Sequence, residues 1–139
     1  MARQYRIFID CPRYSGWRII DNLTFTNATL PQIEPLKEKF FNNDIFEYDE
    51  ENNVASLVSS PIRTQILSGV LVTEKTYGKY KDKFLYRCMP HDRHIPEFLV
   101  PYNMKMGFQK NHVPIYICFK YKHWDEKHPR GEIIRTIGP

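Results

Sequence analysis

Three prolines within residues 84–102 constrain the fold more than any other feature of this sequence. Pro90, Pro96 and Pro101 each fix φ and lack a backbone N–H, so none suits the interior of a helix or of a central strand. Apolar residues dominate 84–89 and 98–100, while the stretch between these two runs is basic and contains histidines. The pattern predicts two short strands joined by a rigid turn.

Beyond residue 66 the sequence predicts five short strands and no helix. The β-like runs are residues 69–76, 83–89, 98–100, 115–124 and 132–137. The connections between them, including 77–82 and 125–131, are rich in turn-forming residues. Short strands without helices favour a small closed Greek-key barrel over an open sheet, because the edges of an open sheet would need covering. We therefore expect one β-barrel over residues 67–139.

The sequence of residues 1–66 predicts a smaller β-rich subdomain with one short helix. Its β-like runs are residues 5–9, 17–20, 23–25, 45–48 and 54–58. The helix is expected over 31–43, where Ile33, Leu36 and Phe40 fall on one helical face. The acidic, Asn-rich stretch 49–53 predicts a hairpin turn between the last two strands.

Several properties of the whole chain narrow its class. At 139 residues it forms one domain or two small ones. It contains neither an apolar run long enough to span a membrane nor an apolar N-terminal leader, so we expect a cytoplasmic protein without a membrane partner. Its three cysteines, Cys11, Cys88 and Cys118, are widely spaced and are expected to be reduced.

Charge differs between the two halves of the sequence. Residues 1–66 carry seven Lys/Arg and nine Asp/Glu, whereas residues 67–139 carry thirteen and seven. A basic second half suggests that the barrel faces a polyanion. In that case we expect the acidic first half to be a spacer or a surface for a partner. The alternative is that the charge forms a solvated surface with no partner.

The predicted fourth barrel strand mixes aromatic and basic side chains on one face. Ile117 and Phe119 alternate with Cys118 and Lys120, so the apolar set faces the core and the other set faces outward. Cations can follow the phosphates of a single-stranded nucleic acid while aromatic rings stack on its bases. The residues expected to bind single-stranded RNA in this way are Tyr77, Lys79, Tyr80, Lys81, Lys83, Arg87, Arg93, Lys120, Lys122 and Trp124. The alternative is that the aromatic residues fill the barrel and the lysines serve only solubility.

Catalysis and metal binding find less support in the sequence. His91 and His94, with His112, His123 and His128, match no strong zinc spacing, and we expect the first two rings to bind backbone atoms within a turn. We expect no catalytic residue, no metal ligand and no cofactor in this chain.

Residues 67–139 resemble a known type of barrel. Pro90, Asp92, Arg93, Ile95 and Pro96 fill a Pro-x-Asp-Arg/Lys-x-Ile/Leu-Pro turn. Segment 68–72 resembles an opening Gly-hydrophobic strand, Val100-Pro101 follows the turn, and Gly131 and Gly138 match a closing Gly-x-Ile/Val-x-x-x-x-Gly strand. In this order the motifs resemble the cold-shock-type OB barrel that precedes the catalytic domain in the ribonuclease II, ribonuclease R and exosome-nuclease superfamily.

The resemblance extends more weakly into the first half. Residues 36–48 look like the end of a preceding OB barrel, with Asn43 in place of the usual Gly. The division expected is therefore 1–66, as an incomplete first OB barrel, followed by the five-stranded OB barrel of 67–139.

What the resemblance implies is the RNA-guiding front end of a 3′–5′ exoribonuclease. Members of the superfamily hold magnesium on an aspartate cluster in a separate downstream domain, and this sequence contains no such cluster. We therefore expect no enzyme activity in this chain, and magnesium only in a downstream nuclease domain. A second hypothesis is a protein-interaction module that docks a nuclease domain or another protein through the acidic stretch 44–51 and the apolar stretch 104–108.

Overall fold

The computed structural model describes residues 3–103 and 113–139, and these residues form mainly β-structure. The chain divides into two compact units, Met1–Ile62 and Arg63–Pro139. The predicted division after residue 66 lies close to this boundary.

Eleven strands and two one-turn helices make up the described chain. In the first unit the strands are β1 (Arg3–Ile9), β2 (Trp17–Asp21), β3 (Asn27–Ala28), β4 (Ile45–Asp49) and β5 (Val54–Ser59), with helix α1 (Pro35–Glu38). Helix α2 (Pro61–Thr64) spans the division. The second unit contains β6 (Ile66–Val72), β7 (Lys79–Tyr80), β8 (Lys83–Pro90), β9 (Phe98–Tyr102), β10 (Ile115–His123) and β11 (Arg130–Gly138).

The first unit is an open antiparallel sheet with the strand order β3–β2–β1–β4–β5. Alternate residues of its central strands, such as Ile7 and Phe46, are completely buried. The segment between β3 and β4 contributes Ile33, Phe40 and Phe41 to the same apolar core. That this half is an incomplete OB barrel stays a prediction.

Two expectations for the first half were wrong. The helix expected over 31–43 is a single turn, because Lys39 takes a left-handed conformation with a φ of 60° that ends it. Leu36, expected on the buried face, is 50% exposed. The expected strand over 23–25 is a turn in which the Asp21 carboxylate accepts hydrogen bonds from the N–H groups of Leu23 and Thr24.

The second unit contains a closed five-stranded barrel with the strand connectivity of an OB fold, as predicted. Around the barrel the order is β6–β10–β11–β9–β8, and β8 pairs with β6 to close it. All neighbouring pairs are antiparallel except β9 with β11, which is parallel. The short strand β7 adds to the outer end of β8.

Aromatic rings fill the barrel, and a glycine makes room for them. Phe98 and Phe119 are fully buried and meet edge to face, with ring centroids 5.1 Å apart. A Cβ placed on Gly131 would lie 3.0 Å from Phe119 and 3.1 Å from Phe98. Gly131, which begins the closing-strand motif, is therefore favoured because a side chain there would crowd both rings.

The proline-flanked turn of residues 91–97 is structural, as expected. The side chain of Asp92 accepts a hydrogen bond from the His94 N–H at 3.0 Å, and its backbone oxygen accepts one from the Ile95 N–H at 3.1 Å. Ile95 and Pro96 are buried at the end of this turn. The turn thus fixes the path from β8 to β9.

Candidate nucleic-acid interface

A tight hairpin joins β7 to β8 and carries the densest set of predicted ligand residues. Tyr80 pairs with Lys83, so only Lys81 and Asp82 form the turn between them. The sequence had predicted a six-residue loop over 77–82, which is wrong because β7 forms within it. Lys81 has a φ of 57°, an unusual value for a residue with a Cβ.

Each aromatic residue of this hairpin has an amino group above its ring. Lys79 Nζ lies 4.8 Å from the centre of the Phe84 ring, and Lys81 Nζ lies 5.4 Å from that of Tyr80. A third pair, Lys75 with Tyr77, has a separation of 5.4 Å just before β7. Tyr80 and Phe84 are 42% and 44% exposed, so the hairpin presents aromatic surface and positive charge to solvent together.

A groove of about 330 Å³ lies beside the hairpin, between it and the strands β9, β10 and β11. Its lining combines three lysines with two carboxylates and an apolar part. The lining residues are Tyr80, Lys81, Asp82, Lys83, Pro101, Lys122, Gly131, Glu132 and Ile133. We refer to it as the lysine groove. Four of the ten predicted RNA-binding residues, Tyr80, Lys81, Lys83 and Lys122, meet there.

The lysine groove lies where Pro101 interrupts the hydrogen bonding between β9 and β11. The N–H and oxygen of Leu85 bond to Gly78 and Tyr77, away from its cross-strand partner Pro101. The backbone nitrogen of Pro101 therefore points the other way, toward β11, and it has no hydrogen to donate. The parallel pair of β9 and β11 is accordingly limited to Leu99 with Arg130.

Glu132 on β11 lies beside two lysines of β10, of which Lys122 lines the lysine groove. Lys120 pairs in register with Glu132, and Lys122 Nζ lies 3.4 Å from Glu132 Oε2. The side chains of Lys122 and Glu132 are 56% and 51% exposed, so solvent screens this ion pair and its contribution to stability is small. The predicted outward direction of Lys120 and Lys122 agrees with their exposure.

Six of the ten predicted residues do not line the lysine groove. Tyr77 and Lys79 belong to the aromatic and basic pairs of the hairpin, and Lys120 pairs in register with Glu132. The other three lie elsewhere. Arg93 is exposed in the turn beyond the far end of β8, a strand that extends about 23 Å from Lys83 to Pro90 at the usual rise per residue. Arg87 lies halfway along β8 and forms an ion pair with Glu97 at 3.7 Å. Trp124 was expected to face outward with the lysines, but it is only 6% exposed, and its Nε1–H donates to the Lys127 oxygen at 3.4 Å.

Trp124 faces inward because it lies beyond the end of strand β10. Strand β10 ends at His123, so the alternation that places Lys120 and Lys122 outside no longer applies one residue later. A register shift between Tyr121 and His123 further breaks the regular pattern. The indole therefore packs inward at the start of the loop.

Four residues of the hairpin and the lysine groove were not among those predicted from the sequence. Phe84 and Lys75 complete the aromatic and basic pairs of the hairpin, and Asp82 and Glu132 line the lysine groove. The cross-strand position of Phe84 beside Lys79 could have been read from a correct hairpin register. Glu132 gave no local signal, because its place beside Lys122 depends on the irregular β10–β11 register.

The histidines make contacts other than those expected. The ring Nδ1 of His91 lies 3.1 Å from Ser68 Oγ, and that of His94 lies 2.9 Å from Asp92 Oδ1, so both rings contact side chains and not backbone. Within 3–103 and 113–139, no three His, Cys, Asp or Glu side chains come together as a metal site. His112 lies outside the described residues.

The cysteines occupy different environments. Cys88 is fully buried in the barrel, and burial raises the pKa of its thiol to about 12. Cys11, in the first unit, has its Sγ 2.9 Å from Ser15 Oγ, and this hydrogen bond lowers the pKa of its thiol. Neither contributes to the lysine groove.

The acidic surface of the second hypothesis is only partly available. Asp44 is completely buried, where its carboxylate accepts hydrogen bonds from the Phe41 N–H at 2.8 Å and the Ser60 hydroxyl at 2.6 Å. Glu50 and Glu51 remain exposed in the turn after β4. The apolar stretch 104–108 lies outside the described residues.

Among the described residues, neither helix has the length or apolar character that crossing a membrane requires.

Comparison of the chain with models of known protein families and with curated protein sequences gave no match.

Proposed function

We propose that this chain is a single-stranded RNA-binding module whose barrel holds RNA along the β7–β8 hairpin and the lysine groove. The observation that carries the proposal is the pairing of exposed aromatic rings with amino groups at Tyr80–Lys81 and Phe84–Lys79. Rings can stack on bases while the neighbouring amino groups neutralise phosphates. Lys83 extends the positive charge into the adjoining groove.

The burial of side chains favours this interpretation over lysines that serve only solubility. The barrel interior is already filled by Phe98, Phe119 and Ile117, which are fully buried. Tyr80 and Phe84 are not needed to fill that core, and leaving large rings about half exposed gives up hydrophobic stabilisation. A bound base would cover these rings.

We further propose that the module acts as the front end of a 3′–5′ exoribonuclease-like protein, without catalytic residues or a cofactor of its own. The ordered motifs around residues 90–96 and 131–138 support this, as does Asn43. That residue stands where the resembled family has Gly, and its φ of 69° lies in the region that favours Gly and Asn. Three unpaired cysteines agree with a reducing compartment such as the cytoplasm.

Fluorescence anisotropy with a labelled single-stranded RNA, over a range of salt concentrations, tests the binding. For single strands the slope of log K against log salt changes by about 0.7 for each phosphate contact. Lys81→Gln with Lys83→Gln should therefore weaken binding and flatten the slope by about 1.4. Arg13→Gln with Lys37→Gln, which removes equal charge from exposed positions of the first unit, is the matched control and should leave both unchanged. Absence of binding at low salt would overturn the proposal.

A second candidate function, a protein-interaction module, is favoured by strand β5. It is an edge strand without a charged residue, and its Val54, Leu57 and Val58 are 53%, 42% and 48% exposed. Such an edge can pair with an extended apolar segment of a partner protein by strand addition. Leu57→Lys should abolish this pairing, and amide hydrogen exchange in β5 with and without a separately supplied partner domain would test it.

A further inference from the structure

We infer that the β11 side of the lysine groove receives a base instead of a phosphate, and that Lys122 with Glu132 selects guanine. The inference rests on the proposed RNA-binding function and concerns the same groove. It starts from a feature that phosphate binding alone does not explain, namely two carboxylates, Asp82 and Glu132, among the groove's lysines.

Charge separates the groove into two parts. The hairpin side carries Lys81 and Lys83 against the single carboxylate of Asp82, so it keeps a net positive charge that can neutralise a phosphate. On the opposite side Glu132 lies beside Lys122 at 3.4 Å and cancels its charge, so a phosphate gains little there and is repelled by the carboxylate. A neutral group fits the second part better than an anionic one.

The lining of the second part suits the flat, partly apolar shape of a base. Pro101, Gly131 and Ile133 supply apolar surface beside the ion pair. The whole groove, at about 330 Å³, is at the lower end of the range for sites that hold small ligands. One nucleotide is therefore a reasonable occupant.

The chemistry of the ion pair specifies which base. A carboxylate accepts two hydrogen bonds side by side, and an ammonium group donates. Guanine presents two adjacent donors, N1–H and the 2-amino group, next to the O6 acceptor. Glu132 can accept from both donors while Lys122 donates to O6. Adenine, cytosine and uracil each place an acceptor beside their donor on this edge, and that acceptor would face the carboxylate.

Binding of short RNAs by the full chain tests the inference. The probes are uridine oligomers of about eight nucleotides, within the site size of one OB fold, with a central guanosine, inosine, adenosine or uridine. Inosine differs from guanosine only by loss of the 2-amino group. We expect guanosine to bind about tenfold more tightly than inosine, the lower end of what a hydrogen bond to a charged group contributes.

Two variants complete the test. Glu132→Gln should remove the preference for guanosine over inosine, because an amide cannot accept both hydrogen bonds. Glu126→Gln makes the same charge change at an exposed residue that does not line the groove, and should keep the preference.

Equal binding of all four oligomers by the wild type would overturn the inference but leave the proposed function intact. If Glu132→Gln bound all four more tightly and kept the preference, Glu132 would merely compete with phosphate, and the inference would also fail. Failure of every oligomer to bind would instead contradict RNA binding itself.

Discussion

A Cβ placed on Gly69 would lie 2.7 Å from the backbone oxygen of Met89, on the neighbouring strand β8. It would also lie 2.9 Å from the buried Cys88 sulfur. Backbone on one side and a packed thiol on the other leave no direction in which the new methyl group can be accommodated. The close approach explains why a glycine stands in the opening strand of the barrel, where a side chain would otherwise point inward.

Gly69→Ala should therefore destabilise the barrel by about 1–3 kcal/mol, the usual cost of overpacking a core. Gly131→Ala should cost less, because its nearest neighbours are the side chains of Phe119 and Phe98, and rings can shift more readily than backbone. Urea unfolding of the two variants gives the comparison. Thr136→Ala, at an exposed position of the same sheet, is the control and should stay within about 0.5 kcal/mol of wild type. A wild-type midpoint for Gly69→Ala would contradict the packing argument.

Loss of a stacking ring should weaken RNA binding without affecting the fold. Tyr80→Ala and Phe84→Ala should each reduce RNA affinity by about 1–3 kcal/mol, the contribution of one stacked base. Trp124→Ala should act in the opposite manner, lowering the unfolding midpoint because the ring is buried. Anisotropy and urea unfolding, measured on the same three variants, separate the two effects. If Tyr80→Ala and Phe84→Ala bound RNA like wild type, the hairpin would have no role in stacking.

The buried carboxylate of Asp44 should matter for the stability of the first unit. Asp44→Ala removes this acceptor from the Phe41 N–H and the Ser60 hydroxyl, so we expect a loss of about 1–3 kcal/mol. Asp44→Asn should cost less, because its amide oxygen can accept from Phe41 while its NH₂ donates to Ser60. Calorimetry of both variants would test this order, and equal losses would show that the negative charge itself is required.

Thiol labelling should distinguish Cys11 from Cys88. A hydrogen bond from Ser15 lowers the pKa of Cys11, whereas burial raises the pKa of Cys88 to about 12. At about pH 8, near the ordinary thiol pKa, Cys11 should react rapidly and Cys88 only on unfolding. Mass spectrometry after brief alkylation would show which residue is modified. Rapid labelling of Cys88 in the folded chain would contradict its buried position.

Stability should fall on mild acidification partly because of His128. Burial, with a contribution from nearby Lys127, holds its pKa below the ordinary value. Below a pH of about 6.5 the unfolded chain therefore takes up a proton that the folded chain resists, and unfolding becomes easier as pH falls toward the lower folded pKa. His128→Gln should flatten the pH dependence of the urea midpoint between about pH 7.5 and pH 5.5. An unchanged dependence in the variant would exclude this histidine as a cause.

Local patterns predicted much of the barrel. Proline positions fixed the turn between β8 and β9, since a residue without an N–H cannot stand where a central ladder needs a donor. Alternation placed Ile117 and Phe119 inside and Lys120 and Lys122 outside. These inferences hold because backbone geometry and side-chain direction depend on neighbours within the same strand.

The failures share a different origin. The helix expected over 31–43 is one turn because the left-handed Lys39 ends it, and Phe40 and Phe41 beyond that residue are buried in the core without helical spacing. Trp124 turned inward because its strand ended one residue earlier. In both cases the outcome depends on where a regular element ends, which the periodicity of apolar residues does not contain.

The sequence by itself predicted which residue types are suited to binding RNA, namely lysines interleaved with tyrosines in the second half. Only the tertiary structure decided which of them meet. Lys83 and Lys122 face one groove because a parallel pairing brings β9 beside β11 and Pro101 then ends that pairing. Glu132 joins them through an irregular register. Juxtapositions of this kind follow from long-range strand pairing, whose register depends on the packing of the whole barrel and not on any local segment.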